Sequence, residues 1–383
     1  MADALPSNLY VHFPFCRRKC TYCVLHSRAG VSQADRDAYV VRLAGLIATT
    51  VESSSSSDSR NSRPTPFKTI YFGGGSPGLC DLTPFGAVLE PLRTEDTEFT
   101  VELNPLDVTR EKLTELKSIG VNRISMGVQS LDDGILRHMG RGYTFAEAER
   151  AFLLIKEHFD NAGIDLIIGY PHPRSAGASA TEGEPWFDTA LSPRHARLAK
   201  WGLRHCSVYS LILEEGSILA HQIRNAKGPA ISLPDDETVL NRIAVISRFL
   251  RDIGLERYEI SNYAVPGYEC RHNLATWRGE DYLGLGDGAC GRIGLTRTRN
   301  YGGQAPEVET LSAEKDEVER RIFSLRTREG LNPFGHPDWL PILDRFASEG
   351  LLSKINPNAS LGPTYRLTER GTEVCDTILA ELV

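Results

Sequence analysis

Three cysteines near the start of the chain are spaced so that they could bind one inorganic centre. Cys16, Cys20 and Cys23 follow the pattern C-x3-C-x2-C. Cysteine thiolates hold iron–sulfur clusters, and a four-iron cubane normally takes four of them. Residue 25 is Leu, so no fourth cysteine follows closely, and one iron would be left open to another ligand. The spacing therefore predicts a cluster that takes part in chemistry rather than one that only stores electrons.

Spacing alone leaves a zinc site, a disulfide and an accidental grouping open. A structural zinc site usually pairs two Cys or Cys/His units, and only His26 lies near enough to complete a tetrahedral set. A disulfide needs an oxidising compartment, whereas the nine residues ahead of Tyr10 are too few for a signal peptide. We therefore expect a cytoplasmic protein, with mitochondrial import still open if residues have been removed from the start.

Composition is that of an ordinary soluble globular protein. The 383 residues are 41% hydrophobic and 24% charged, which allows a large core. The formal net charge of −7 argues against a broad nucleic-acid-binding face. No apolar run reaches the ~18–20 residues that span a bilayer. We expect no nucleic-acid partner. Peripheral membrane association and a monomeric or homodimeric state are both compatible with the sequence.

The first half of the chain repeats a strand-then-helix pattern six times, which implies a parallel sheet. Such a sheet forms an open α/β structure or a partial (β/α)6 barrel, with reactive residues at the carboxyl ends of the strands. The predicted strands are Leu9–Phe13, Lys68–Phe72, Phe99–Leu103, Arg123–Gly127, Ile164–Ile168 and Cys206–Leu211. The predicted helices are Asp35–Val51, Pro84–Leu92, Thr109–Ile119, Asp132–Met139, Thr144–His158 and Trp186–Leu203.

Changes in composition predict three regions. Residues 1–215 form the core barrel, with a serine-rich disordered insertion at 52–65 and a flexible stretch at 173–185. Residues 216–300, which include a helix at 235–255, form an extension that closes over the site. Residues 301–383 form a C-terminal α+β module that resembles a winged helix. Its predicted elements are helices at 314–326 and 339–350, a strand at 365–368 and a closing helix to 382.

Polar residues recur beside the predicted strands. The glycine-rich turn Phe72–Gly78 follows the second strand, and glycine lets a ligand approach the backbone, although a tight connection also explains it. Glu102, Gln129, Arg141 and Asp165 follow or lie on the next three strands. Charged groups near a core are costly unless they are paired or bound. Any one of them could be a surface or capping residue, but together they favour a polar ligand above the cysteines.

In this order and spacing the motifs resemble the radical SAM superfamily and, within it, the oxygen-independent coproporphyrinogen III oxidase group. The resemblance covers nearly the whole chain and implies a partial (β/α)6 radical SAM barrel. The matching motifs are the cysteine triad, Gly73-Gly74-Gly75-Ser76-Pro77, Gly127-Val128-Gln129-Ser130, Gly140-Arg141, Asp165 to Pro171, Tyr209-Ser210-Leu211, Tyr258 to Ala264, Arg271-His272-Asn273-Leu274, Tyr282 to Gly288, Leu325-Arg326 and Glu329-Gly330.

The resemblance implies that Cys16, Cys20 and Cys23 bind a [4Fe–4S] cluster, whose free iron takes the amino and carboxylate groups of S-adenosylmethionine. It assigns Arg141 to the carboxylate, because its planar fork suits that group. The other implied contacts are Gly74, Gly75 and Glu102 at the amino group, Gln129 and Asp165 at the ribose, Tyr10 near the cluster, and Tyr22 and Ser76 as further cofactor contacts.

Two branches of the group differ at positions that this chain contains. The decarboxylating oxidases carry another cysteine where this chain has Leu25, which favours the HemW heme chaperone branch. That branch carries His-Asn-x-x-Tyr-Trp, associated with heme. Here the matching segment begins at His272 and has Thr276 in place of tyrosine. His272 is the heme-ligand candidate, with a hydrogen-bonded core histidine as the alternative. Relatives commonly have histidine at Cys290, which is either a soft ligand or a small apolar filler.

The resemblance implies a radical SAM heme chaperone that binds a [4Fe–4S] cluster, S-adenosylmethionine and heme and delivers heme to a client protein. The alternative function is oxygen-independent coproporphyrinogen III oxidation in porphyrin biosynthesis, where propionate side chains would be decarboxylated. A degenerate member that binds a cluster without turnover is a third reading. The sequence leaves open whether the chain is an enzyme, and it does not identify the client.

Overall fold

The computed structural model describes residues 5–55, 65–171, 193–225, 231–302, 304–355 and 362–383. Its strands are Asn8–Phe13 (β1), Phe15–Cys16 (β2), Arg28–Ala29 (β3), Thr69–Gly74 (β4), Glu98–Leu103 (β5), Arg123–Gln129 (β6), Asn161–Ile168 (β7), His205–Ser210 (β8), Glu256–Arg257 (β9), Asn262–Ala264 (β10), Tyr282–Leu285 (β11), Cys290–Ile293 (β12), Thr296–Arg299 (β13), Glu307–Thr310 (β14), Leu352–Ile355 (β15) and Thr364–Leu367 (β16). Its helices are Gln33–Ser55 (α1), Phe85–Leu89 (α2), Arg110–Ser118 (α3), Asp133–His138 (α4), Phe145–His158 (α5), Pro193–Leu198 (α6), Ile218–Asn225 (α7), Asp236–Asp252 (α8), Arg271–Trp277 (α9), Ala313–Ser324 (α10), Trp339–Ser348 (α11), Glu369–Glu373 (α12) and Cys375–Ala380 (α13).

One twelve-stranded mixed sheet forms the centre of the protein, in the order β14-β13-β12-β11-β1-β4-β5-β6-β7-β8-β10-β9. Strands β1, β4, β5, β6, β7 and β8 are parallel neighbours, and helices connect them. The predicted six-stranded α/β core is therefore confirmed. Because parallel strands end at the same edge of a sheet, the loops after β1, β4, β5 and β6 meet at one mouth.

The two faces of this parallel sheet have opposite chemistry. On β1 the residues Leu9, Val11 and Phe13 belong to the main hydrophobic core, and equivalent apolar positions recur on every core strand. The alternate positions point to the other face because strand side chains have a period of two. Buried polar side chains occupy that inner face: Asn8, His12, Thr69, Glu98, Thr100, Arg123, Ser125, His205 and Ser207. Parallel strands are usually apolar on both faces, so this polar interior indicates a site.

The region that was predicted to be an extension lengthens the sheet at both edges. Strand β11 pairs parallel to β1, and β12, β13 and β14 continue as an antiparallel meander. Strand β10 pairs antiparallel with β8 at the opposite edge. The sequence pattern did not predict these strands, because they are only two to four residues long and two of them are held by pairing with distant core strands.

The C-terminal region has its own hydrophobic core, separate from that of the barrel. Helices α10 and α11 are followed by the antiparallel pair β15–β16 and then by α12 and α13. The order of elements agrees with the predicted winged-helix-like module, although β15 was not predicted. Strand β14 falls within 301–383 but pairs with β13 of the large sheet.

Three predicted segments lie wholly or partly outside the described residues. Helix α1 continues to Ser55, which is inside the segment 52–65 that was predicted to be disordered. Residues 56–64 and the whole of 173–185 are not described. Of the predicted helix 186–203, the described part is α6 and a 3-10 turn at Ala199–Trp201.

Candidate functional site

A cavity of about 600 Å³ opens at the carboxyl mouth of the parallel strands. Eleven of the thirteen residues predicted to bind cofactors or metal line it. They are Cys16, Cys20, Tyr22, Cys23, Gly74, Gly75, Ser76, Glu102, Gln129, Arg141 and Asp165. They come from loops and strand ends spread over 150 positions of the chain, so the topology of the sheet brings them together. Tyr10 and His272 are not among the lining residues.

The cysteine loop leaves β1 and wraps one side of this cavity. Cys16 lies on the short strand β2, and the Cys23 amide donates to the Cys20 carbonyl at 3.2 Å, which closes a turn. All three thiols are half-buried and free of disulfides. Burial raises the pKa of both Cys16 and Cys23. Within the described ranges, no three His, Cys, Asp or Glu side chains form a group that could hold a single metal ion.

Arg141 connects the cysteine loop to the end of strand β6. Its Nη1 donates to Cys20 Sγ at 3.3 Å and its Nη2 to the Gly127 carbonyl at 2.9 Å. Its Nε donates to the Tyr143 hydroxyl at 2.8 Å. The guanidinium is therefore fixed in place, with a positive charge beside a cysteine sulfur. A guanidinium held in this way can pair with a ligand carboxylate.

Glu102 is a half-buried acid at the end of β5 that has no basic partner among its hydrogen bonds. It accepts from the Tyr71 hydroxyl at 2.7 Å and from the Gly74 amide at 3.1 Å. Burial, reinforced by the charge of Asp165, raises the pKa of Glu102 to about 7. Burying an unpaired carboxylate is costly, so a cationic ligand group would find a favourable partner here. Because Glu102 occupies the Gly74 amide, that amide is not available to a ligand.

Asp165 and Gln129 lie on adjacent strands next to Glu102. Asp165 accepts from the Ser125 hydroxyl at 3.1 Å, and burial raises its pKa despite hydrogen bonds from Ser207 and Ser125. Among the described residues Gln129 is the only one other than glycine with a positive φ, 68°. It follows a register shift between β6 and β7. Such backbone strain clusters at functional sites because it aims a side chain that a regular strand would not.

The glycine-rich turn is packed too tightly for side chains. A Cβ at Gly75 would lie 2.5 Å from the Phe15 carbonyl oxygen and 3.0 Å from Cys16 Sγ. Ser76 is buried, and its hydroxyl donates to Asp107 at 2.6 Å. Asp107 also accepts from Arg17 Nε at 2.6 Å, so one carboxylate links this turn to the cysteine loop. The glycines therefore allow the cysteine loop to lie against the sheet.

His272 and Tyr10 lie deeper in the barrel interior. The ring centroids of Tyr10 and His272 are 6.3 Å apart, and the ring centroids of Tyr71 and His272 are 5.1 Å apart. The Thr69 hydroxyl donates to Asn8 at 2.9 Å, so it must accept from His272 Nδ1 at 2.8 Å, which fixes the tautomer. Burial, and then the charge of Arg123, lower the pKa of His272 to about 4. His272 is therefore a neutral, buried imidazole.

Sequence reasoning assigned no site role to several supporting residues. Tyr209 lines the cavity from β8. The Tyr143 hydroxyl accepts a hydrogen bond from Arg141. His12 accepts from the Tyr10 hydroxyl at 3.0 Å, and its Nε2 donates to the His26 carbonyl at 2.9 Å. The strand alternation of polar residues could have identified the inner-face positions, because a parallel strand in an ordinary α/β protein would be apolar there. Tyr143 lies outside any strand, so no such pattern could have identified it.

The donor set fits an iron–sulfur cluster with a bound polar cofactor. Three half-buried thiols that form no disulfide share one cavity with a fixed guanidinium, two half-buried carboxyl groups and the strained Gln129. Thiolates are the ligands that iron–sulfur clusters take. The described residues that line the cavity include these polar groups and no fourth cysteine.

Comparisons with known proteins agree with this geometry. A family model for the radical SAM superfamily matches residues 10–174. The solved structure of coproporphyrinogen III oxidase (HemN) from Escherichia coli, a radical SAM enzyme, has a TM-score of 0.74. It is 21% identical, and the match covers 99% of this chain and 90% of that one. The fold and the site therefore define a radical SAM protein.

Relatives at higher identity narrow the assignment. The heme chaperone HemW of Bacillus subtilis is 33% identical, over 84% of this chain and 80% of that protein. HemW of Mycobacterium tuberculosis is 30% identical, over 99% of this chain and 95% of that protein. This chain belongs to the HemW family of the radical SAM superfamily.

Among the described residues, no helix combines the length and apolar character that crossing a bilayer requires.

Proposed function

We propose that this chain is a heme chaperone that uses a [4Fe–4S] cluster and S-adenosylmethionine to regulate delivery of heme to a client protein. The observation that carries the proposal is the single cavity in which three thiols meet the polar ends of β4, β5, β6 and β7. Membership of the HemW family supports the heme part. When bound, the cluster would supply an electron to the sulfonium of the cofactor.

In this proposal the cavity residues bind and orient the cofactor. Cys16, Cys20 and Cys23 hold the cluster. Glu102 receives the amino group, because a cation relieves the cost of its buried charge. Arg141 receives the carboxylate from a guanidinium already fixed by three hydrogen bonds.

The remaining cofactor contacts fall on the neighbouring strand ends. Gln129 and Asp165 take the ribose hydroxyls, since an amide and a carboxylate on adjacent strands can accept from a vicinal diol. Ser76 and Gly75 keep the cysteine loop against the sheet. Tyr22 contributes an aromatic wall beside Tyr170, their ring centroids 6.3 Å apart, and excludes water from the cavity.

Heme is the third proposed ligand. His272 is the heme ligand that the resemblance implies. Its Nδ1 hydrogen-bonds Thr69, and the residue is 6% exposed. It could reach a heme iron only through Nε2, and the rings of Tyr10, Tyr71 and Tyr282 pack around it. Its present contacts therefore suit a residue that supports a heme site better than one that ligates iron.

The test is an anaerobic titration of the cluster-loaded protein with ferric heme, followed at the Soret band. We expect saturation at one heme per chain and transfer of that heme to a heme-free acceptor protein. Absence of saturable binding would overturn the proposal.

A parallel incubation separates the chaperone from a decarboxylating enzyme. The protein is mixed with coproporphyrinogen III, S-adenosylmethionine and a reductant, and the product is analysed for protoporphyrinogen. We expect none, because Leu25 stands where the decarboxylating relatives carry a further cysteine. Leu25 lines the cavity. A Leu25→Ala variant is therefore incubated in the same way, as a control for the effect of the Leu25 side chain. Turnover to protoporphyrinogen by the wild type would contradict the chaperone assignment.

A further inference from the structure

A second cavity, of about 470 Å³, lies between helix α9, the meander β11–β14 and helix α10. We call it the meander cavity. Its walls include the aromatic rings of Tyr282 and Phe323, the thiol of Cys290 and the side chain of Thr276. Neither Cys290 nor Thr276 has a role in the cofactor cavity described above. The volume is within the range of small-molecule sites, about 300–1,000 Å³.

One buried cation of the meander cavity lacks a full set of partners. Arg292 is 7% exposed, and its Nη2 donates to Asp316. Its Nε has no acceptor among the described residues. Burial, together with the charges of Arg320 and Arg297, lowers the pKa of Arg292. Leaving a buried donor without a partner is unfavourable, so the site gains from a ligand that brings an acceptor.

Two further arginines line the same cavity. Arg297 pairs with Glu319 and lies 3.8 Å from Glu309. Arg299 is exposed, and the neighbouring side chains of Tyr301 and Cys290 raise its pKa. The acidic residues of the wall, Glu307 and Glu309, are both exposed on the outer strand β14. The inner part of the cavity therefore combines cations, aromatic surface and a thiol. That combination suits a planar apolar ligand with carboxylate arms.

We propose that the meander cavity binds the tetrapyrrole, with Cys290 as the iron ligand and Arg292 and Arg299 holding the propionates. This inference rests on the proposed heme-binding function and locates its site. When ferric heme binds, the Cys290 thiol loses its proton to solvent and an Fe–S bond forms, without a change in oxidation state. The thiolate is the form of cysteine that binds metal. Cysteine thiolate is an established axial ligand of heme iron.

A chain of contacts connects the meander cavity to the cofactor cavity. The ring centroids of Tyr282 and His272 are 6.3 Å apart. The ring centroids of His272 and Tyr71 are 5.1 Å apart. The Tyr71 hydroxyl donates to Glu102 at 2.7 Å, and Glu102 lines the cofactor cavity. His272 thus lies between the two sites. In this arrangement it positions Tyr282 against the heme and does not bind iron.

The experiment is a titration of the full cluster-loaded chain with ferric heme, read by absorption and by electron paramagnetic resonance. Wild type is compared with Cys290→Ser, Cys290→His and Arg299→Gln. Matched controls are Cys375→Ser, a cysteine in the separate C-terminal core, and Arg248→Gln, an exposed arginine on α8. We expect a thiolate signature in wild type, its loss in Cys290→Ser and an imidazole signature in Cys290→His. Arg299→Gln weakens binding about tenfold, and the controls do not change it.

The outcomes separate this inference from the proposed function. If no variant, wild type included, binds heme saturably, the chaperone assignment fails and the inference fails with it. If wild type binds heme but Cys290→Ser keeps both the spectrum and the affinity, the meander cavity is not the site and the chaperone assignment stands. Loss of the signature in His272→Ala, with Cys290→Ser unchanged, would place the iron at His272 instead. Circular dichroism of each variant confirms that it is folded.

Discussion

Replacing Glu102 with glutamine should stabilise the protein above neutral pH while it weakens cofactor binding. The carboxyl group is half-buried, and its pKa rises from 4.5 to about 7 on folding. A shift of this size corresponds to about 3 kcal/mol. The folded state binds more protons than the unfolded state between those two values. The free energy of unfolding of the wild type therefore falls as pH rises from about 4.5 to about 7.

Glutamine has no charge to bury, and its amide can keep the contact with the Tyr71 hydroxyl. The advantage of Glu102→Gln should therefore be near zero at pH 4.5 and reach up to about 3 kcal/mol at pH 8. With an m-value of about 3 kcal/mol/M, the urea midpoint would rise by up to about 1 M. The assay is urea unfolding of the metal-free protein at pH 5 and pH 8, under reducing conditions.

Glu90→Gln is the matched control, because Glu90 is exposed at a 3-10 turn and should give no pH-dependent change. The same Glu102→Gln variant should bind S-adenosylmethionine at least tenfold more weakly, since it cannot pair with the amino group. A stability change of equal size at both pH values would refute the electrostatic reasoning. Unchanged cofactor affinity would refute the assignment of Glu102.

Three further predictions concern the cofactor cavity. S-adenosylmethionine affinity should fall by up to tenfold per pH unit as pH drops below about 7, because protonated Glu102 cannot attract an ammonium group; calorimetry from pH 6 to 8 measures this. Gln129→Gly should raise the unfolding free energy by about 1 kcal/mol, by removing strain at φ 68°, and should weaken cofactor binding; a lower stability would contradict it. Arg141→Lys should lower cofactor affinity about tenfold, because lysine cannot make three fixed contacts, while exposed Arg150→Lys should not.

Much of the barrel could be predicted because local sequence determines it. Strands β1 and β4 to β8 and their connecting helices carry their own periodicity, and parallel order then follows from the crossovers. Helix α5 illustrates this, since Thr144 and Glu147 form a capping box at its start. Eleven of the predicted site residues meet in one cavity because carboxyl ends of parallel strands share an edge.

The remainder depends on long-range contacts that no local pattern contains. Strand β11 has only four residues and is held by β1, more than 270 positions earlier in the chain. His272 was expected at a ligand site, but its position depends on Thr69 and Asn8 from two different strands. Cys290 was left as either ligand or filler, and only the tertiary structure shows that it shares a cavity with Thr276 and Arg292.

The central claim is that three cysteines hold an iron–sulfur cluster at the mouth of the barrel. The most direct measurement is iron and acid-labile sulfide in the protein after anaerobic reconstitution, for wild type and for serine variants of Cys16, Cys20 and Cys23. Wild type should contain about four of each per chain. Each of the three variants should lose the cluster, while Cys80→Ser, a buried cysteine outside the cavity, should keep it. Bound zinc in place of iron, or a full cluster in any of the three variants, would contradict the account.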